Sequence, residues 1–378
     1  MSKKTIKVGY EHIDYGAKRN FLDIKIDNCY FCRIIGLFKL VNIFTNRILK
    51  FSSPFLQNLY FDIGINRNVN IIHLWNGLST GKLPWIVTYE TTLPRWNENS
   101  KLGLNLLNRS QCKKIIALSR CSQNMMENSI SRHSKYVAIK NKLTVLHPPQ
   151  SLITCNESTK PHLKDKIIFT IVGRDFFRKG GKEILKAFEY FINKNAPVKL
   201  NIISSLNYGD YASHTTKEDY FESLKIIERH PNNITHFTYL PNNKVIDIMD
   251  ETHIGLLPTY ADTYGYSVLE FQASGCPVIS TNVRALPEIN NNECGWMINV
   301  NKNKNNVAYY NTEKNRRDLS RTIISQLIEI MDFILANPDK IQYKAKLSIQ
   351  RIKLFHDPID HAKKLVDIYL DALDNNNN

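Results

Sequence analysis

Between residues 167 and 300 the chain alternates short apolar runs with stretches of helical period, which leaves few folds open to it. Residues 167–173 form a near-continuous apolar run, the pattern of a strand buried on both faces. After Gly180-Gly181, the residues Ile184, Leu185, Phe188, Phe191 and Ile192 recur at helical spacing. Further strands are expected over 198–204, 234–239, 254–258, 277–281 and 296–300, with helices over 245–249 and 267–273. Alternation of this kind means a parallel sheet wrapped by helices. The first half repeats it more loosely, with strands expected over 5–9, 70–74, 85–88, 114–118 and 143–146. Helical patterns over 319–335, 341–354 and 361–373 close the chain, residues 299–315 read as a flexible loop, and 375–378 as a disordered tail. A chain of 378 residues suits two domains better than one core. We expect an α/β protein with a first doubly wound domain over 1–150, a Pro-, Ser-, Thr- and Asn-rich linker over 151–166, and a second domain over 167–354. Ligands of such sheets bind outside the carboxyl ends of the strands.

Composition excludes some classes and leaves others open. No stretch approaches the ~20 apolar residues of a membrane helix, and the apolar segment after Met1 is too short for a secretory leader, so a cytoplasmic protein is expected. The cysteines number seven and form no disulfide-like framework. Cys29 and Cys32 make one CxxC, with neither a second pair nor a nearby His for zinc; a redox role would require it to open a helix. The net charge is +15, and between positions 101 and 142 nine Lys or Arg face a single acid, Glu127. A second basic stretch holds Arg33, Lys39, Arg47 and Lys50 among Ile34, Ile35, Leu37, Phe38, Leu40, Val41, Ile43, Phe44, Ile48 and Leu49. Solvated helix faces account for such runs; anionic lipid or a phosphate-bearing acceptor is the sharper alternative. No nucleic-acid recognition motif or aromatic platform accompanies the charge.

Two loops carry the chemistry. In Val172-Gly173-Arg174-Asp175-Phe176-Phe177-Arg178-Lys179-Gly180-Gly181 a strand ends, Arg174 and Lys179 follow, and glycines lead into a helix. Arg offers a planar fork to phosphate oxygens and Lys a mobile point charge, although two surface cations in a loop are also common. In Leu257-Pro258-Thr259-Tyr260-Ala261-Asp262-Thr263-Tyr264-Gly265-Tyr266-Ser267-Val268-Leu269-Glu270 another strand gives way to a helix, whose first N–H groups favour an anion. Gly265 allows close approach of a ligand. Glu270 and Asp262 are carboxylates able to accept from sugar hydroxyls; helix-dipole placement for Glu270 and helix initiation for Asp262 are the plain alternatives.

The order Gly173-Arg174, Lys179-Gly180, Asp262 with Glu270 eight positions on, Ala273-Ser274-Gly275-Cys276-Pro277-Val278-Ile279-Ser280-Thr281, Pro287-Glu288-Ile289 and Cys294-Gly295-Trp296 resembles retaining glycosyltransferase family 4, the group 1 glycosyltransferases. The resemblance covers the second half of the chain and only the outline of the first. It implies the GT-B fold, two Rossmann-like domains with a cleft between them, and a closing helix, here 355–378, packed back on the first domain. It implies that Arg174 and Lys179 bind a donor diphosphate, that Glu270 holds the ribose and Asp262 the transferred sugar, and that backbone around Gly265, Tyr266 and Ser267 seats sugar and phosphates beside Gly173. It also implies transfer with retention, the leaving phosphate oxygen taking the acceptor proton.

Fixed cations at the leaving diphosphate supply the main electrostatic stabilisation. The chain contains no Asp-x-Asp, the usual carboxylate pair for a bridging divalent ion, so no metal or other cofactor is expected. Three departures stand out. Tyr89-Glu90 stands where the family usually has a His facing the donor sugar; Glu90 is either its replacement as a hydroxyl acceptor or a loop acid. The glycine-rich loop after the first strand is reduced to Gly16, and Asp262 replaces the usual Glu. His73 reads as a structural hydrogen-bonder, while Tyr10 and Glu11 are minor acceptor-site candidates. The resulting expectation is a metal-independent hexosyltransferase-type enzyme using a UDP- or GDP-sugar. Its acceptor would be a surface glycan or lipid-linked glycan, with peripheral contact at the inner face of an anionic membrane and no nucleic-acid partner. A catalytically silent sugar-nucleotide or nucleic-acid binder of the same fold, or a nucleotide-sugar epimerase, is the alternative.

Overall fold

The computed structural model describes residues 5–11, 13–50, 53–61, 68–97, 100–153 and 166–374; most of the expected linker, 154–165, and the tail 375–378 lie outside them. The chain forms two compact units, Met1–Pro149 with His356–Asn378, and Gln150–Phe355. No helix among the described residues is long and apolar enough to cross a membrane.

In the first unit the strands are β1 (Ile6–Tyr10), β2 (Cys29–Arg33), β3 (Leu59–Tyr60), β4 (Ile71–Trp75), β5 (Leu78–Ser79), β6 (Trp85–Tyr89), β7 (Cys112–Ala117) and β8 (Leu143–Val145). Six of them form a parallel sheet ordered β2-β1-β4-β6-β7-β8, and β3 pairs with β5 apart from it. Every residue of β4 and β6 is buried, which is why these strands read as largely apolar runs, interrupted by His73 and Thr88. The edge strand β2 is half-exposed and too short to announce itself in sequence. It contains Cys29 and Cys32, whose three-residue separation on a strand turns the side chains to opposite faces. Both are free thiols, and burial pushes Cys29 up to about 11, so the CxxC has neither the helix start nor the acidity of a redox pair.

The closing helix Pro358–Asp374 belongs to this unit. Tyr369 Oη lies 2.8 Å from His73 Nδ1, and His73 Nε2 lies 2.8 Å from Thr88 Oγ1. His361 reaches the carbonyls of His147 and Asn20, both at 2.9 Å, and Lys114 pairs with Asp371 at 2.8 Å. Glu11 is buried and accepts from the Gly36 N–H at 3.0 Å, a structural role for this acceptor-site candidate. Tyr10 meets Phe31 edge-on, and Gly16 packs against the Trp75 ring rather than lining a glycine-rich loop.

The second unit contains β9 (Ile167–Val172), β10 (Val198–Ile203), β11 (Ile234–Phe237), β12 (Ile254–Leu257), β13 (Val278–Thr281) and β14 (Trp296–Ile298). They form one parallel sheet in the order β11-β10-β9-β12-β13-β14. The helix Gly181–Asn193 buries Ile184, Leu185, Phe188 and Phe191 as its spacing requires. A helix absent from the sequence reading spans Lys217–Arg229: its apolar face is faint, and a capping box between Thr216 and Asp219 starts it. Strand order runs outward in both directions from β9 and β12, so the crevice at their carboxyl ends is the topological switch point of the sheet.

Candidate functional site

Both motif loops of the second unit emerge at that switch point. Beyond β9, Phe176 and Phe177 are fully buried and meet edge-to-face at 5.3 Å, which pins the loop between them and Gly173. The Lys179 N–H donates to Asp175 O at 3.0 Å, closing the loop ahead of the helix Gly181–Asn193. The stem of Lys179 lies across Gly173, where any Cβ would come within 2.4 Å of its Cε. The glycine is therefore what lets the lysine lie flat over the strand end. Arg174 is exposed, its backbone carbonyl held by Ser204 Oγ at 3.2 Å, and its guanidinium makes no hydrogen bond or ion pair with a described residue.

Beyond β12, the loop is sewn to the first one through the carbonyl of Arg178. That oxygen accepts from Tyr260 N at 2.9 Å and from Thr259 Oγ1 at 3.0 Å, while Thr281 Oγ1 donates to Thr259 O at 2.7 Å. Tyr260 Oη and Ser320 Oγ donate to the buried Glu183 carboxylate at 2.8 and 2.6 Å. Burial raises Glu183 above the ordinary carboxylate range, the two hydroxyls opposing. Gly265, at φ +93°, turns the chain into the helix Tyr266–Ala273, a conformation disfavoured for residues with a Cβ.

Asp262 stands at the centre. Lys179 Nζ lies 3.0 Å from Asp262 Oδ2 and Arg178 Nη1 lies 3.8 Å from the same oxygen; Oδ1 accepts from Gly265 N at 3.1 Å. Burial would raise this carboxyl, but Lys179 and then Arg178 more than offset it and hold Asp262 below its ordinary value. Asp262 thus holds the N–H of Gly265, the residue ahead of the helix, with one oxygen and Lys179 with the other. Arg178 escaped the sequence reading. It also pairs with Asp175 at 2.5 Å and donates to Ala261 O, and its place next to the singled-out Lys179 was the only signal. On the helix, Ser267 Oγ is buried without a partner and Glu270 is half-buried one turn further. Tyr266 lies against Tyr264 with ring centroids 5.5 Å apart.

The remaining motif pieces of this unit are scaffold. Gln272 Nε2 donates to Ile289 O at 2.8 Å, and Asn290 Nδ2 donates to Ser280 Oγ at 2.8 Å and Val278 O at 3.0 Å. Arg351 donates to the carbonyls of Glu288 and Ile289. These contacts fix the helix that carries Ser267 and Glu270 against the sheet.

Glu90 lies in the first unit, just past β6. It exchanges hydrogen bonds with Asn76, which donates to its Oε2 at 3.2 Å and accepts from its N–H at 3.1 Å. Asn76, unremarked in the sequence, fixes where that carboxylate sits.

In its architecture the chain is a GT-B protein, with a Rossmann-like parallel sheet in each unit. The glycosyltransferase of Rickettsia africae ESF-5 superimposes with a TM-score of 0.63 at 13% identity, covering 99% of each chain. Anabaena Alr3699/HepE in complex with UDP-glucose gives a TM-score of 0.62 at 12% identity over 96% of this chain and 98% of that one. Residues 156–321 match the family model of the glycosyl transferases group 1, a stretch that contains both loops. Over 137 residues the chain is 28% identical to the capsular polysaccharide biosynthesis glycosyltransferase CapM of Staphylococcus aureus, covering 36% of this chain and 33% of CapM. The curated relatives it matches are spanned over 39% and 33% of their length.

Proposed function

We propose that this chain is a glycosyltransferase that moves a sugar from a nucleoside-diphosphate sugar to a glycan or lipid-linked glycan acceptor in surface polysaccharide synthesis. The observation that carries the reading is the Lys179–Asp262 pair at the switch point of the second sheet, beside the exposed Arg174. A diphosphate at the strand ends competes with Asp262 for Lys179, and Arg174 supplies a second cation. Arg178 remains to hold Asp262, whose carboxylate then accepts from a hydroxyl of the sugar. As the anomeric C–O bond breaks, negative charge grows on the diphosphate where these fixed cations already stand, so little reorganisation is needed. Glu270, on the helix that begins at Tyr266, receives the ribose hydroxyls, and the unpartnered Ser267 hydroxyl is available to a phosphate or sugar oxygen.

Retention of configuration and independence from metal belong to the same proposal; retention follows the family resemblance, and Arg174 with Lys179 provides the charge that a divalent ion would otherwise supply. Glu90, held by Asn76, is proposed as the hydroxyl acceptor that stands for the usual His. UDP-glucose in Anabaena HepE and the capsular role of CapM support a nucleotide-sugar donor and a polysaccharide product. The test is a thermal-shift panel of UDP, GDP, ADP and their sugars, with and without EDTA, followed by an assay of donor hydrolysis and transfer. One nucleotide family stabilises the protein equally with EDTA present, and its sugar is consumed. A ligand at ~100 times its dissociation constant adds roughly 2–3 kcal/mol to folding. Stabilisation without turnover of any donor would instead mark a silent binder, and no stabilisation by any nucleotide contradicts the proposal.

A further inference from the structure

The helix Leu37–Leu49 is built inside out. Leu37, Leu40, Val41, Phe44 and Ile48 follow the i, i+3, i+4, i+7, i+11 spacing of a single helix face, and all five are exposed; Phe44 is 62% and Ile48 61% accessible. The opposite side, which the protein covers more fully, carries Phe38, Asn42 and Thr45, with Phe38 set against Phe55 and Phe61 at 5.7 and 5.6 Å. A core-seeking helix would present the two sides the other way round. An apolar stripe of this length left in water marks an interaction surface.

The charge around the stripe selects the partner. From residue 28 to residue 61 the chain has no acidic residue, and Arg33, Arg47 and Lys50 are exposed. The nearby Glu11 is buried and occupied by the Gly36 N–H, while Lys39 Nζ is engaged with the Glu11 carbonyl at 2.5 Å. A second copy docking face to face would bring the exposed cations of this acid-free segment toward one another, with Asp14, near Lys39, as the exposed acid beside them. A bilayer with anionic headgroups meets both features at once, taking the apolar stripe at the acyl boundary and the cations at the phosphates. The basic run over 101–142 is poorly suited to that role. Lys142 donates to the carbonyls of Leu107 and Arg109, Arg109 to those of Thr80 and Gly81, Lys140 pairs with Glu127, and Lys114 with Asp371. We infer that the helix Leu37–Leu49 is a monotopic membrane anchor, lying in the plane of an anionic bilayer surface with Leu40, Phe44 and Ile48 inserted and Arg47 and Lys50 at the headgroups.

This inference stands apart from the donor site and fails separately from it. The full chain is sedimented with vesicles of phosphatidylcholine alone and of phosphatidylcholine mixed with phosphatidylglycerol. The native protein partitions onto the mixed vesicles and is partly released by salt. Phe44→Ser with Ile48→Ser lowers the partition coefficient at least about tenfold, and Arg47→Gln with Lys50→Gln lowers it severalfold. Lys101→Gln with Arg132→Gln, drawn from exposed positions of the other basic run, leaves it unchanged. The serine positions are exposed, so their circular dichroism and nucleotide-induced thermal shift stay native. As an independent reading, Phe44→Trp gains a blue-shifted emission component on mixed vesicles that the native protein lacks. Absence of binding by the native protein, undiminished binding by the serine variant, an equal loss in the Lys101→Gln and Arg132→Gln variant, or self-association relieved by the serine changes each overturns the assignment; the last would give the face to a second copy.

Discussion

Lys179 and Asp262 meet at 3.0 Å with little solvent around them, so removing one partner has different consequences from removing the other. Lys179→Ala takes a charge-assisted contact from the diphosphate and weakens nucleoside-diphosphate binding by roughly 1.5–3 kcal/mol, about tenfold to hundredfold. Asp262→Ala frees Lys179 for phosphate, so calorimetry shows nucleotide binding kept or tightened, while sugar transfer falls by on the order of a hundredfold for want of the hydroxyl acceptor. The reverse pattern would mean that Asp262, not Lys179, organises the phosphate end. A second residue-scale consequence concerns His73, which burial and the nearby His361 lower to about 3, well below the ~6.5 of an unfolded chain. The native state then binds fewer protons than the unfolded one, so this contribution is complete above about pH 6.5. It declines by roughly 1.4 kcal/mol per pH unit as pH falls from there toward 3. Urea unfolding of the full chain as a function of pH measures that slope, and His73→Gln reduces it, His361 contributing in the same sense; an unchanged slope in the variant contradicts the assignment. At this scale the sequence disclosed which residue types sit at the strand ends. It could not disclose that Lys179 and Asp262, 83 positions apart, share one ion pair, or that Asn76 clamps Glu90, because such contacts depend on neighbouring strands being brought into register.

The helix Tyr266–Ala273 shows how an element is held when amphipathicity cannot do it. Val268, Leu269, Phe271, Gln272 and Ala273 are all buried, so hydrophobic sidedness gives no orientation and polar anchors must. Asn290→Ala leaves the Val278 carbonyl and the Ser280 hydroxyl without their shared donor, and the expected loss is about 1–3 kcal/mol of stability, read by denaturant unfolding. A loss well below that range would show that neighbouring backbone or water replaces the amide. Elements such as β4, β6 and β9 were legible because strands covered on both faces must be largely apolar. The edge strand β2 and the helix Lys217–Arg229 were not, since each lies largely open to solvent and lacks a strong apolar period. The helix Leu37–Leu49 was legible as an amphipathic helix, yet nothing in its periodicity tells which face turns outward.

For the whole molecule, the strand–helix alternation sufficed for two doubly wound sheets, and the family-like motifs fell on the strand exits where such sheets bind ligands. The assignment of the helix Pro358–Asp374 to the first unit, through Tyr369, His361 and Asp371, rests on contacts that no local pattern contains. The sugar and the acceptor were not legible for a related reason: in the proposed reading they depend on Asp262 and Glu90, and both depart from the residue usual in the family the motifs resemble. We propose above that the carboxyl ends of β9 and β12 form a donor-diphosphate site. Isothermal titration of the native chain and of Arg174→Ala with UDP and with GDP, in EDTA, tests it most directly. The expected result is saturable binding of one nucleotide by the native protein and at least about tenfold weaker binding by the variant, which loses an exposed charge and leaves the fold intact. Binding of neither nucleotide, or equal binding by the two proteins, would contradict it.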